Sequence, residues 1–471
     1  MTYYDLAIVG SGSGNTLITP DWDGKKVALI DSGTFGGTCL NVGCIPTKMF
    51  VYPAQLAQGA ADAARLGVDL DLRTVRWREI RDRIFTRIDS ISSSGRDYRA
   101  DELDHVTLYE EEARLTGEKS LRTASGAEIE AGQLVIAAGS RAVLPDIPGI
   151  DLPQVHTSDT IMRVDEQPRR LLIIGGGYIA AEFAHVFSAF GTEVTIVNRS
   201  RLLLRALDES VSEKFTEAAS AQWNVVTEHT VASLTANDDG SVRAVLAATG
   251  GDVRRIEVDA VLVATGRVPN SDRLGAAAVG LDLATNGRIV ADKYQRVLKN
   301  GRPVDGLWTL GDVSSLHQLK HVANYEARVV SHNLVNPDHL QASDHRYVPA
   351  AVFTYPQVAA VGLTEEEALR YAETTGTRIC VAVQQYGSTA YGWAMEDTTG
   401  FVKLIAEQES GKLLGAHIMG HEASMIIQPL IQAMSFGLDA DTMARGQYWI
   451  HPALTEVVEN ALLSLKTQSG S

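Results

Sequence analysis

Apolar positions along the chain fall into two rhythms. Short runs such as Tyr4-Asp5-Leu6-Ala7-Ile8-Val9 and Leu171-Leu172-Ile173-Ile174 are each followed directly by glycines, and read as strands. Longer stretches, the polar segment 76–94 and the run from Lys320, predict helices. The order matters more than the elements. Strand, glycine turn, helix and second strand occur in 1–145, which closes on Leu134-Val135-Ile136-Ala137-Ala138-Gly139. The theme returns in 146–268, which closes on Val261-Leu262-Val263-Ala264-Thr265-Gly266. This is an internal duplication at the level of pattern.

Two further segments follow. Residues 269–345 carry Leu307-Trp308-Thr309-Leu310-Gly311-Asp312, and 346–471 mix strands (350–353, 402–406, 413–419) with helices from Ser424 and Thr455. The expected fold is α/β, with two Rossmann-like nucleotide-binding domains (1–145 with 269–345, and 146–268) and a C-terminal α+β domain (346–471). The tail Lys466–Ser471 is expected to fray.

Composition narrows the function. The chain has 471 residues, 45% of them hydrophobic and 21% charged, in the range of soluble proteins. No apolar run approaches the roughly 20 residues of a membrane helix, so no membrane partner is expected. The N-terminus enters a strand at once, leaving no room for a signal core. Three cysteines cannot build a secretory disulfide framework, and a cytoplasmic location follows as the expectation. A net charge of −16 disfavours nucleic acid, whose phosphates need a basic surface.

Both glycine turns have the flanks of a dinucleotide site. In the first, Gly10 permits the tight turn and Gly12 lets the backbone approach a pyrophosphate. Gly14 follows, and Asp31, about 20 residues on, is placed to accept from ribose hydroxyls. Asn15 stands where a third glycine is usual and Pro20 comes soon after, so the helix here should be short or irregular. In the second, Gly175 and Gly177 precede Tyr178 and Ala180, with alanine at the third position. Its second strand ends Val197-Asn198-Arg199, without the ribose-binding acid. Arg199 and Arg205 flank the adenosine ribose position instead and favour a 2′-phosphate, so the expected nucleotide is NADPH rather than NADH.

Cys39 and Cys44 stand five apart in Phe35-Gly36-Gly37-Thr38-Cys39-Leu40-Asn41-Val42-Gly43-Cys44. On a regular helix that interval separates Cα atoms by about 8.6 Å, beyond the roughly 4.4–6.8 Å that a disulfide accepts. A bridge therefore requires a break in the helix, and Gly43 permits one. No metal is expected, because the one further cysteine, Cys380, and the histidines supply no chelating pair nearby. A static bridge does not suit a cytosolic chain. Redox cycling fits. Cys380, in an apolar strand-like run, reads as a core thiol.

Together, "GGTCLNVGCIPTK", "GGGYIAAE", "VATGRVPN", "GDV" and "HPALTE" resemble the pyridine nucleotide–disulfide oxidoreductases over essentially the whole chain. Glutathione reductase and dihydrolipoamide dehydrogenase are members of that family. The resemblance implies a homodimeric flavoprotein with FAD in the first nucleotide site and NADPH in the second, reducing a small-molecule disulfide through a Cys39–Cys44 disulfide. It implies FAD contacts at Gly10, Gly12, Gly14, Asp31, Thr38, Lys48, Ala113, Gly139 and Asp312. It implies NADPH contacts at Gly175, Gly177, Tyr178, Ala180, Arg199, Arg205 and Gly266. Cys44 would face the flavin and Cys39 the substrate. Lys48 would pair with Glu182 beside the flavin, Tyr178 would cover it, and His451, held by Glu456, would serve the partner subunit's site as acid and base. Asn15-Thr16-Leu17-Ile18-Thr19-Pro20 lacks the arginine with which glutathione reductases meet substrate carboxylates, leaving only Arg328 of that anchor set. The emptied site suits a neutral, hydroxyl-rich disulfide, and the resemblance implies that of mycothiol as the substrate. The alternatives are glutathione disulfide, dihydrolipoamide with the wrong nucleotide preference, or a flavoprotein scaffold that needs no cysteine pair.

Overall fold

The computed structural model describes residues 1–248 and 250–467, so 468–471 of the tail expected to fray lie outside the described residues. Thr2–Val9 lies inside an eight-stranded sheet, paired in parallel with Val27–Ile30 on one side and Glu128–Ile136 on the other. Val106–Tyr109 extends the sheet beyond Val27–Ile30, and Arg302–Thr309 extends it beyond Glu128–Ile136. Leu6, Ala7, Ile8 and Val27 to Leu29 are fully enclosed. Parallel strands covered on both faces show unbroken apolar runs rather than alternation, which is the pattern in the sequence.

Between these strands the chain builds a second, five-stranded parallel sheet. Its order is Asn224–Thr227, Glu193–Asn198, Arg170–Ile174, Ala260–Val263, Val155–His156. A third, antiparallel sheet of five strands spans residues 350 to 420. Helices Gln428–Phe436 and Glu456–Ser464 pack on it through Leu430, Ala433, Val457, Val458 and Ala461. The structure is mixed α/β, as expected. Among the described residues no helix is long and apolar enough to cross a membrane.

Two helices position the site, α1 (Gly37–Asn41) and α2 (Cys44–Arg65). The buried face of α2 presents Phe50, Val51 and Ala54 to the same core as Phe183 and Phe187 of helix Tyr178–Ala189. Trp77 closes the contact, its ring centroid 5.1 Å from Phe50 and 5.4 Å from Phe187. The cysteine segment of the first unit is thereby pressed against the glycine-turn helix of the second. After the first turn the chain forms only the 3₁₀ turns Gly14–Leu17 and Pro20–Trp22, the curtailed helix that Asn15 and Pro20 predict. Gly14 itself makes the close approach usual for a third glycine: a Cβ there would lie 2.9 Å from both Ala137 Cβ and Ile8 Cγ2.

A buried cation ties the second unit to the third sheet. Lys403 Nζ lies 2.7 Å from both Asp208 Oδ1 and Glu365 Oε2, with the Lys403 and Asp208 side chains almost fully enclosed. Burial pushes the Asp208 carboxyl up, but donation by Lys403 and Ser210 outweighs it and leaves the group at about 2. Removing the lysine strands a buried carboxylate. We expect Lys403→Ala to cost about 3–5 kcal/mol, read as a clear fall in melting temperature. A fall no larger than that of the exposed Lys412→Ala would show that the pair contributes little.

Candidate active site

The cysteines owe their placement to a break in the helix. Gly36 and Gly37, at φ +96° and +70°, turn the chain into α1, which ends at Val42. Gly43 leaves the helical region (φ −133°, ψ −125°), and α2 begins at Cys44. A Cβ on Gly43 would sit 2.9 Å from Thr38 O, so the bend holds no side chain there. No bond joins the two sulfurs in this structure. A hydrogen-bond interaction between the two thiols, with Cys39 as donor, drives their titrations apart. This donation, together with burial, raises the Cys39 thiol, and Lys320 opposes the rise. The same hydrogen bond lowers Cys44 to about 7 against burial, with help from Lys48 and opposition from Glu182. Cys44, at the start of a helix, is the more acidic thiol of the reduced pair.

Lys48 follows Cys44 by one turn, and its Nζ lies 2.6 Å from Glu182 Oε2. Glu182 is buried and also accepts from Phe353 N at 3.0 Å, while Lys48 Nζ sits 4.5 Å above the Phe353 ring. Neither is a free surface charge. Tyr178 is 41% exposed rather than packed in a core. Burial of its hydroxyl region pushes it up to about 12, and Arg267, Asp312, Cys44 and Glu182 are the charges around it. The tyrosine thus stands where the two glycine-turn units and the cysteine segment meet.

The nucleotide turns fit the groups expected of them. A Cβ on Gly10 would meet Ala137 O at 2.2 Å, and one on Gly175 would meet Ala264 O at 2.3 Å, so both tight turns exclude side chains. Over Gly139, Gly177 and Gly266 a Cβ would meet nothing within 4 Å, which leaves backbone open to a ligand. Asp31 accepts from Ser11 N and Ser11 Oγ, both at 2.6 Å, and from Gly33 N at 2.8 Å. Asp312 accepts from Ser140 Oγ at 2.6 Å, and burial raises its carboxyl. Thr38 is exposed on α1, and Ala113 opens the short strand Ala113–Leu115. Gly177 caps helix Tyr178–Ala189, whose Ala180 is fully buried. Arg199 and Arg205 are exposed, and among the described residues neither has a hydrogen-bond or ion-pair partner. Asn198 spans the loop between them, donating to Ser200 O at 3.0 Å and Leu202 O at 2.8 Å.

His451 lies on the third unit. Its Nδ1 is 2.6 Å from Glu456 Oε1, and Glu456 is also reached by Ala453 N at 3.3 Å. The imidazole is 71% exposed. Among the described residues no hydrogen bond or ion pair joins it to either cysteine of its own chain. Phe436, Tyr448 and Ile450 are exposed apolar residues of the same unit.

Three polar links escaped the sequence reading. Arg267 donates through Nε to Ser140 Oγ at 2.8 Å and through Nη2 to Ser140 O at 2.7 Å, holding the hydroxyl that meets Asp312. Buried Glu326 accepts from Gly311 N at 2.7 Å. Lys320 donates to Ser13 Oγ at 2.7 Å. The first two depend on contacts across more than a hundred residues, or on a loop's path. The third had a visible signal: a lysine opening a helix, where the positive end of the macrodipole disfavours a cation.

A fold with two sheets whose central parallel strands each run into a glycine turn, a cysteine pair near both turns and a separate antiparallel unit defines a class. Residues 4–327 match the family described as pyridine nucleotide-disulphide oxidoreductase, and residues 348–462 match its dimerisation domain. The chain belongs to that family and is an enzyme of it, a disulfide oxidoreductase that uses FAD and NADPH. It is 52% identical to mycothione reductase of Mycobacterium tuberculosis, across 99% of this chain and all of that one. It is 32% identical to mercuric reductase of Staphylococcus aureus, across 93% of this chain and 78% of that one. Among solved structures it superposes on the HOCl-induced flavoprotein disulfide reductase RclA of Escherichia coli with a TM-score of 0.82. That likeness carries 27% identity and covers 98% of this chain and all of the other.

If Lys48 lowers Cys44, neutralising it must move the thiol's titration. We expect the first thiolate of the reduced protein to form near pH 7 in the natural chain, and at distinctly higher pH in Lys48→Met. Ultraviolet thiolate absorbance reads both. Coincident curves would exclude the lysine as a cause.

Proposed function

We propose that this chain reduces mycothiol disulfide to two molecules of mycothiol at the expense of NADPH, for thiol redox balance in the cytoplasm. The observation that carries the reading is the facing Cys39–Cys44 pair beside the Lys48–Glu182 bridge. Its support on substrate is the full-length likeness to mycothione reductase of Mycobacterium tuberculosis. The domain assignment proposed is 1–145 with 269–345 for FAD, 146–268 for NADPH, and 346–471 for dimerisation.

Cys39 is the attacking sulfur. As thiolate it displaces one mycothiol from the substrate, forming a mixed disulfide, and the first leaving thiolate departs with the bonding electron pair. The partner subunit's His451 gives that thiolate its proton, and Glu456 holds the ring tautomer that can do so. Cys44 then attacks the Cys39 sulfur, closing the Cys39–Cys44 bond and expelling the second thiolate, which takes a proton from solvent. The substrate has gained two electrons and the cysteine pair has lost them. Bound NADPH and FAD supply the two electrons that return the pair to dithiols.

Other residues bind or orient. Gly10, Gly12, Gly14, Asp31, Thr38, Ala113, Gly139 and Asp312 would hold FAD. Lys48, held in place by Glu182, would sit beside its redox-active ring and favour negative charge there. Gly175, Gly177, Ala180 and Gly266 would hold NADPH, with Arg199 and Arg205 on its 2′-phosphate. Tyr178 would cover the flavin until the nucleotide displaces it. The exposed Phe436, Tyr448 and Ile450 suit an interface with a second copy, which brings His451 to the site it serves.

Two experiments test the reading. Purified enzyme given NADPH should consume mycothiol disulfide at least tenfold faster than glutathione disulfide at equal concentration. Comparable rates would sink the substrate assignment. Cys44→Ala and His451→Ala chains, each inactive alone, should regain up to about a quarter of native activity per site when subunits are exchanged, because one heterodimer site then holds both native residues. No recovery despite proven exchange would place His451 in its own chain's site.

A further inference from the structure

Lys320 opens helix Lys320–Val335, a place where the backbone's positive end makes a cation unfavourable. It is only partly exposed, and its ammonium is fixed by Ser13 Oγ at 2.7 Å. The same hydroxyl lies 3.5 Å from Asn324 Oδ1, one turn along that helix. Ser13 belongs to the first glycine turn, which is in backbone contact with α1: a Cβ on Gly37 would fall 2.8 Å from Gly12 Cα. The lysine is therefore clamped at the edge of the five-residue helix that carries Cys39. No carboxylate is within ion-pairing distance of it among the described residues, so its charge is not neutralised locally.

We propose that Lys320 is a positioning residue for disulfide exchange: a cation within the same subunit that favours Cys39 as the thiolate that attacks substrate. Exchange needs a proton to leave Cys39, yet Cys39 donates to Cys44 and is partly buried, and both facts hold the proton on it. Of the groups that act on Cys39, the Cys44 thiol holds the proton on it, whereas Lys320 of helix Lys320–Val335, together with the backbone N–H of Cys44, favours its release. The partner subunit's His451 can take the proton; the lysine offsets the cost of the charge left behind.

The inference rests on the redox role of the cysteine pair but not on which disulfide is the substrate. Its test needs no substrate. The FAD-loaded enzyme is reduced with NADPH and treated with iodoacetamide across a pH series, and mass spectrometry quantifies alkylation at Cys39 separately from Cys44. In Lys320→Gln the Cys39 profile should move up by about one pH unit, so that alkylation below the midpoint slows about tenfold. Lys320→Arg should restore it. Ser13→Ala, which frees the ammonium without removing its charge, should shift the profile part of the way. A Cys39 profile in Lys320→Gln that overlays the natural enzyme would overturn the proposal. Should that variant lose flavin, an unshifted profile in Ser13→Ala would overturn it equally.

Discussion

The chemistry of this protein depends on one interruption of helix. Had residues 37 to 65 formed a single regular helix, Cys39 and Cys44 would diverge and could neither hydrogen-bond nor form a disulfide. The non-helical Val42 and Gly43 divide that helix into α1 and α2 and turn the two sulfurs toward each other. The bend has no space for a side chain, since Thr38 O occupies the position of a Cβ at Gly43. A small closed loop of this kind suits a bond made and broken in each cycle better than one meant to last.

Everything else presents that loop to its partners. The aromatic stack of Phe50, Trp77 and Phe187 presses α2 onto the helix after the second glycine turn, which brings Glu182 to Lys48 and Tyr178 near Cys44. The charges then sort the two thiols. Lys48 and the hydrogen bond from Cys39 keep Cys44 acidic, and Glu182 keeps the lysine in place. On the far side, Lys320 is the matching cation for Cys39. An exchange enzyme needs its two sulfurs inequivalent, and here the inequivalence comes from their mutual interaction and from Lys48 on the helix of Cys44 itself.

Much of this was legible in the sequence because it is local. Gly10 and Gly175 announce turns that only glycine can make, and the apolar runs after and before them announce parallel strands. Asn15 and Pro20 foretold the lost helix, although the sequence did not reveal that Gly14 takes over the close contact. The Lys48–Glu182 bridge spans 134 residues, and only the family resemblance brought it into view. The Arg267–Ser140–Asp312 chain stayed hidden because no periodicity records which loops meet in space, and for Lys320 only its place at a helix start was visible, not its Ser13 partner. His451 and Glu456 were visible as a motif five residues apart. That His451 serves the partner subunit was implied by the family resemblance alone, and the imidazole is exposed on its own chain.

The most direct test follows the electrons into the cysteine loop. Air-oxidised enzyme should yield, on digestion under non-reducing conditions, one peptide pair joined through Cys39 and Cys44, with Cys380 free. Anaerobic addition of one equivalent of NADPH should convert that pair to two alkylatable thiols. Separate thiols in the oxidised enzyme, or a bond that NADPH leaves intact, would contradict the account.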